Sequence, residues 1–140
     1  EDEYLDENNQ ISKVRYRLTM IGQSREYQFP SDVLLSRSRY FAPATHSLRF
    51  YRLYFKPAKE LEVEKDRRRW RILYKGTEFY INLDRIDKPT LGLFLEVKSR
   101  TWSRKDADHK AQLAAEIMEF LGASMEELDT SDYVELVKAA

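Results

Sequence analysis

The chain has 140 residues, enough for one domain of ordinary size, and its 42% hydrophobic content lets it bury a core rather than stay disordered. Its 24 basic and 24 acidic side chains cancel, so ligand preference has to come from how the charges segregate along the chain. The absence of Cys excludes disulfides and thiolate metal sites, and with no membrane-length apolar run and no signal-like leader the expectation is a cytoplasmic protein without a membrane partner.

Residues Glu1 to Gln10 are acidic and polar, with only Tyr4 and Leu5 to bury, and read as a weakly structured lead-in. The opening Glu1-Asp2-Glu3 without Met suggests a piece of a longer protein. From Ile11 to Ile21 the residues alternate: Lys13, Arg15, Arg17 and Thr19 point one way, Val14, Tyr16, Leu18 and Met20 the other. Period two predicts a strand with one cationic and one apolar face. Gly22-Gln23-Ser24 suits a hairpin turn with a return strand over Arg25 to Phe29, and Pro30-Ser31-Asp32 breaks it. Val33 to Phe41 reads as a strand with Val33, Leu35, Arg37, Arg39 and Phe41 on one face, or as a helix clustering Val33, Leu34, Tyr40 and Phe41. The nearby Pro43 favours the strand. Leu48, Tyr51 and Phe55 then predict a short helix that Pro57 ends.

The stretch from Glu60 to Lys75 is the most informative. Glu60, Glu62 and Glu64 share one face, whereas Leu61 and Val63 lie on the parity of Lys65, Arg67, Arg69 and Arg71. With Lys75-Gly76-Thr77 as a turn and Glu78 to Ile86 as the return, it predicts a long hairpin. After a turn at Asp87-Lys88-Pro89-Thr90, the next strand alternates Phe94, Glu96, Lys98 and Arg100 with Leu95, Val97 and Ser99. Ser103 and Asp106 resemble a helix N-cap, and the helix to about Leu121 is expected to bury Leu113, Ala114, Ile117, Met118, Phe120 and Leu121 before Gly122 caps it. The tail Asp132 to Val137 adds a last strand or a short helix. One α+β domain of antiparallel strands covered by two helices is the expected architecture.

Several chemistries find no support in these residues. No Gly-rich phosphate loop occurs, His46 and His109 stand alone without metal-ligand spacing, and no Gly-x-Ser-x-Gly elbow is present. What remains is charge in register: Arg15 and Arg17 on one strand, Arg37 and Arg39 on another, Lys65, Arg67 and Arg69 on a third. One exposed sheet face accounts for any single pair. Several such faces together need acidic partners, splayed strands or an anionic ligand, because like charges on neighbouring strands repel. Arg offers a forked donor set that fits phosphate oxygens. Asp84 and Glu96, on adjoining strands, are salt-bridge partners or ligands for a hard cation.

The run Glu64-Lys65-Asp66-Arg67-Arg68-Arg69-Trp70, then Ile81-Asn82-Leu83-Asp84-Arg85-Ile86, then Leu91-Gly92-Leu93-Phe94-Leu95-Glu96-Val97 resembles the C-terminal half of the CYTH superfamily. This is the group of triphosphate tunnel metalloenzymes that includes thiamine triphosphatase, inorganic triphosphatases and class IV adenylyl cyclases. Phe120-Leu121-Gly122 and Ser131-Asp132-Tyr133-Val134-Glu135-Leu136 are similar to the family's close, and Tyr16-Arg17-Leu18-Thr19 to its Leu-Arg-x-Arg strand. The resemblance implies an antiparallel β-barrel forming a tunnel, whose basic side chains grip a triphosphate or polyphosphate. Carried over residue by residue, it makes Arg15, Arg17, Lys65 and Arg67 phosphate contacts; the remaining cations in strand register, Arg37, Arg39, Arg69 and Lys98, complete the phosphate-binding candidates. Glu96 and Asp84 become carboxylates for Mg²⁺ or Mn²⁺, with metal-dependent triphosphate hydrolysis as the implied activity.

The chain departs from the family pattern in its carboxylates. Nothing before Lys13 matches the initial Glu-x-Glu-x-Lys strand, so the barrel is expected to be incomplete. Glu60-Leu61-Glu62 lies out of place, Ser36-Arg37-Ser38-Arg39 offers Arg where Glu is expected, and Lys98 replaces the closing Glu. Each change removes negative charge where a dication would sit. Two functions therefore stay open: a triphosphatase, or a noncatalytic module that senses polyphosphate or a nucleotide within a larger protein. Nucleic-acid binding through Lys65 to Lys75, with Trp70 and Tyr74 as stacking residues, ranks third, since the net charge is zero and Glu60, Glu62 and Glu64 adjoin the run. On this reading Arg67→Ala weakens polyphosphate affinity and leaves folding nearly unchanged.

Overall fold

The computed structural model describes residues 1–21, 27–28, 34–35, 39–129 and 131–140. Among these residues the chain is α+β, with antiparallel sheets and three α-helices, and no sheet closes into a barrel. It divides into two compact units, Glu1–Glu26 with Ser36–Glu60 and Tyr27–Leu35 with Leu61–Ala140.

In the first unit the expected lead-in is a hairpin: β1 (Asp2–Leu5) pairs antiparallel with β2 (Ile11–Arg15). Asp6 makes the difference. Its Oδ1 accepts from the backbone N–H of Asn8 at 2.8 Å and of Gln10 at 2.9 Å, closing a turn that leaves Asn9 at φ 58°. The single strand expected over Ile11 to Ile21 breaks at Tyr16, after which β3 (Arg17–Ile21) takes another partner. The short strands β4 (Tyr27–Gln28) and β5 (Leu34–Leu35) pair with each other and belong to the second unit. β6 (Arg39–Pro43) is the partner of β3, setting Thr19 opposite Phe41. The strand reading of Val33 to Phe41 thus holds at Leu34–Leu35 and from Arg39 onward, while the turn at Gly22-Gln23-Ser24 lies outside the described residues. Helix α1 (Leu48–Phe55) is the short helix expected: Ser47 caps it through the Phe50 N–H, and Lys56 ends it in the left-handed region just before Pro57.

The second unit is built on a meander of β7 (Glu64–Tyr74), β8 (Thr77–Lys88) and β9 (Gly92–Lys98). Lys75 and Gly76, at φ 46° and 76°, form a two-residue turn that pairs Tyr74 with Thr77. Helix α2 (Arg104–Phe120), capped by Ser103 through the Asp106 N–H, packs on one face of this sheet. The core there is Phe79, Leu113, Ala114 and Ile117, with Ile72, Tyr74, Ile81 and Val97 against it. The helix buries Ala107 and Ala111 rather than its last turn, where Phe120 is 90% and Leu121 44% exposed. The apolar stripe read from the sequence therefore outruns its buried part. After a 3₁₀ turn (Met125–Glu127), the tail forms helix α3 (Tyr133–Ala139), the helical one of the two readings of Asp132 to Val137 and a third beside the two helices expected to cover the sheet. No helix among the described residues is long and apolar enough to cross a membrane.

Candidate functional site

Strand parity gives the three-stranded sheet two different faces. Ile72, Tyr74, Phe79 and Val97 turn towards α2, so Lys65, Arg67, Arg69 and Arg71 of β7 occupy the other face. On that face the register sets Arg67 directly opposite Asp84 and Arg69 opposite Asn82. One strand further, Asn82 faces Glu96 and Tyr80 faces Lys98.

Asp84 is the centre of the cluster and is fully buried. Arg67 grips it with a fork, Nε to Oδ1 and Nη2 to Oδ2, both at 2.6 Å. The hydroxyl of Tyr133, the first residue of α3, donates to Oδ2 at 2.5 Å. Burial opposes ionisation of Asp84, but the hydrogen bonds from Arg67 and Tyr133, with the charges of Arg67 and Lys65, outweigh it and hold the carboxyl below its ordinary range. The same contact raises the Arg67 guanidinium above its usual value. Burial and the hydrogen bond to Asp84 push the Tyr133 phenol well up, so it stays protonated as a donor.

Around this pair the remaining groups are looser. Arg69 Nε donates to Asn82 Oδ1, and Asn82 Nδ2 to Glu96 Oε1, each at 2.8 Å, so buried Asn82 relays between two charged strands. Glu96 Oε1 also lies 3.2 Å from Lys98 Nζ and 3.5 Å from Arg67 Nη2. Lys65 Nζ stands 3.8 Å from Asp84 Oδ2, beyond hydrogen-bond reach, and 4.9 Å from the centre of the Tyr133 ring. Burial, with Arg67 beside it, lowers the Lys65 ammonium below its ordinary value. Lys65, Arg67 and Lys98 thus share two carboxylates, of which Arg67 takes most of one, while Arg69 is held by the Asn82 amide.

A dication needs several oxygen donors. Both Asp84 oxygens are engaged by Arg67, one by Tyr133 as well, and Glu96 Oε1 accepts from Asn82 while facing two cations. Among the described residues no group of three His, Cys, Asp or Glu comes together to hold an ion. A Mg²⁺ or Mn²⁺ on Asp84 would displace Arg67 from this buried acceptor. The donor set does not fit a dication, and the two carboxylates assigned to metal by the resemblance serve here as acceptors for neighbouring cations and Asn82.

The other predicted residues fall elsewhere in the chain. Arg15 ends β2 and Arg17 begins β3 in the first unit, where both line a shallow cleft of about 330 Å³ with Lys13 and Phe41. Arg17 lies 3.7 Å from Asp2 Oδ2, with its guanidinium 5.4 Å from the Phe41 ring centre. Arg39 starts β6, opposite Ile21, and Arg37 lies outside the described residues. Two residues of the cluster escaped the sequence reading. Asn82 was legible as the polar neighbour of Asp84 on the same parity, whereas Tyr133, 49 positions beyond Asp84, gave no local signal. No protein-family model, curated protein or solved structure matches the chain.

Proposed function

We propose that the second unit is a triphosphate- or polyphosphate-binding domain that holds its ligand on the charged face of the β7–β9 sheet. The observation that carries this reading is the imbalance of that face: Lys65, Arg67 and Lys98 converge on two carboxylates, Arg69 beside them is held by the neutral amide of Asn82, and Lys65 and Lys98 keep 33% and 42% of their side chains exposed. Cations gathered at this density repel one another, and a polyanion relieves that repulsion while meeting donors already fixed by the strands. The Asp84 contact holds the Arg67 fork in one orientation. A CYTH-like tunnel, with this face as an inner wall, belongs to the same proposal and rests on the motif order from Lys65 to Glu96. Binding without turnover is favoured, because the carboxylates that hydrolysis would place on a metal are engaged with Arg67, Asn82 and Lys98. The test is calorimetry with tripolyphosphate, alongside phosphate release in Mg²⁺ and in Mn²⁺. The expected result is binding that weakens as salt rises, with no release above background. Release with either ion would restore the hydrolase reading, and absence of binding would end both.

A nucleotide as the ligand is favoured by a second feature. At the end of β9 a cleft of about 400 Å³ is lined by Tyr80, Arg100, Trp102 and Lys110, and Trp102 is 82% exposed. Tyr80 joins this cleft to the charged face, since the Arg69 guanidinium lies 5.5 Å over its ring. An aromatic base stacks on such a surface regardless of its hydrogen-bonding edge. Trp102→Ala is expected to lower ATP affinity by about tenfold and leave tripolyphosphate affinity unchanged. Equal losses for both ligands would remove the nucleotide reading.

A further inference from the structure

We infer that Tyr133 is a positioning residue whose hydroxyl keeps the Lys65 ammonium off Asp84 and available to the ligand; this rests on the phosphate-binding reading above. A carboxylate oxygen offers about two acceptor directions. Those of Asp84 Oδ2 are filled by Arg67 Nη2 at 2.6 Å and by the Tyr133 hydroxyl at 2.5 Å. Lys65 is left at 3.8 Å with no vacant lone pair to reach, and among the described residues it donates no hydrogen bond. The Tyr133 ring also lies beneath the Lys65 ammonium, giving it a second, weaker attraction away from the carboxylate.

The tyrosine is itself held in place. Asp132 and Glu135 form a reciprocal capping box at the start of α3, with Asp132 Oδ1 accepting from the Glu135 N–H at 2.8 Å and Glu135 Oε2 from the Asp132 N–H at 3.1 Å. The ring meets Phe94 of β9 edge to face, with centroids 5.5 Å apart. The C-terminal helix thereby decides whether Lys65 is an ion-pair partner or a ligand contact. The charged groups facing Lys65 are Arg67 on its own strand, Asp84 on β8, and Glu96 and Lys98 on β9. Of these, Asp84 is the carboxylate that loses a donor when the phenol is removed.

Tyr133→Phe keeps the ring and removes only the hydroxyl, so Lys65 is expected to close onto Asp84. Tripolyphosphate affinity of the full chain should fall roughly five- to tenfold. In a Lys65→Met background the same substitution should have no further effect, whereas a purely structural role would lower affinity in both backgrounds. A ligand-free readout separates this inference from the binding reading itself. Acylation of Lys65 by an N-hydroxysuccinimide ester, followed by mass spectrometry against Lys75 as internal standard, should slow several-fold in Tyr133→Phe. An unchanged Lys65 rate would overturn the positioning role even if the chain binds tripolyphosphate. Slowed acylation in a protein that never binds tripolyphosphate would instead overturn the phosphate-binding reading and the ligand half of this one.

Discussion

Arg67→Ala is expected to destabilise the β7–β9 unit by about 3 to 5 kcal/mol, which reverses the outcome read from the sequence. The reason is Asp84. Its side chain is fully buried and receives two of its hydrogen bonds from Arg67, so truncation leaves a buried carboxylate with the Tyr133 hydroxyl as its remaining hydrogen-bond donor among the described residues and Lys65 at 3.8 Å. Removing both charges together, in Arg67→Met with Asp84→Leu, should recover most of the loss, since a buried ion pair is worth little against apolar side chains of similar size. The pair also leaves a pH signature. Because the Asp84 carboxyl is held below its ordinary 3.8, its contribution is fully present above that value and is lost as pH falls through the lowered folded-state value. Urea unfolding followed downward in pH should show this acid loss in the native chain and a shallower one in the Met/Leu variant. A stable Arg67→Ala protein with an unchanged acid limb would mean that the Arg67 fork does not hold the fold.

The converse behaviour is expected at the rim of the face. Lys65→Met with Lys98→Met should lower tripolyphosphate affinity by about a hundredfold, roughly tenfold for each charged contact. Both side chains are partly exposed and their ion pairs, at 3.8 and 3.2 Å, are loose, so stability should change by no more than about 1 kcal/mol. The affinity that remains should be less sensitive to salt than in the parent. Isothermal titration at two ionic strengths, with urea unfolding of the same samples, separates the two quantities. Equal affinity in parent and variant would place the ligand elsewhere on the chain.

The meander of β7, β8 and β9 was legible because alternation, the turn at Lys75-Gly76 and the break at Pro89 all agree. For Asp84 the sequence left a salt bridge and a metal both open, and which cation it meets turned on one residue of turn length. A three-residue turn that includes Thr77 would pair Tyr74 with Glu78 and set Arg67 opposite Arg85, whereas the two-residue turn pairs Tyr74 with Thr77 and so brings Arg67 opposite Asp84 and Arg69 opposite Asn82. With that register the carboxylate meets the arginine fork. The hairpin at Asp2–Leu5 was hidden for a different reason: Asp2 to Leu5 carries no apolar alternation, unlike the partner strand from Ile11, and the turn is set by one Asp6 side chain. Tyr133 reaches the charged face only because α3 returns to it, and a contact across 49 positions has no local pattern.

All of this depends on the charged side of one three-stranded sheet being the place where a polyanion settles. Backbone amide NMR shifts during a tripolyphosphate titration test that most directly. Perturbations should concentrate on Lys65 to Arg69, Asn82 to Asp84 and Glu96 to Lys98, and should extend to Tyr133. Saturable binding that leaves those strands unmoved, or no binding at low salt, would contradict it.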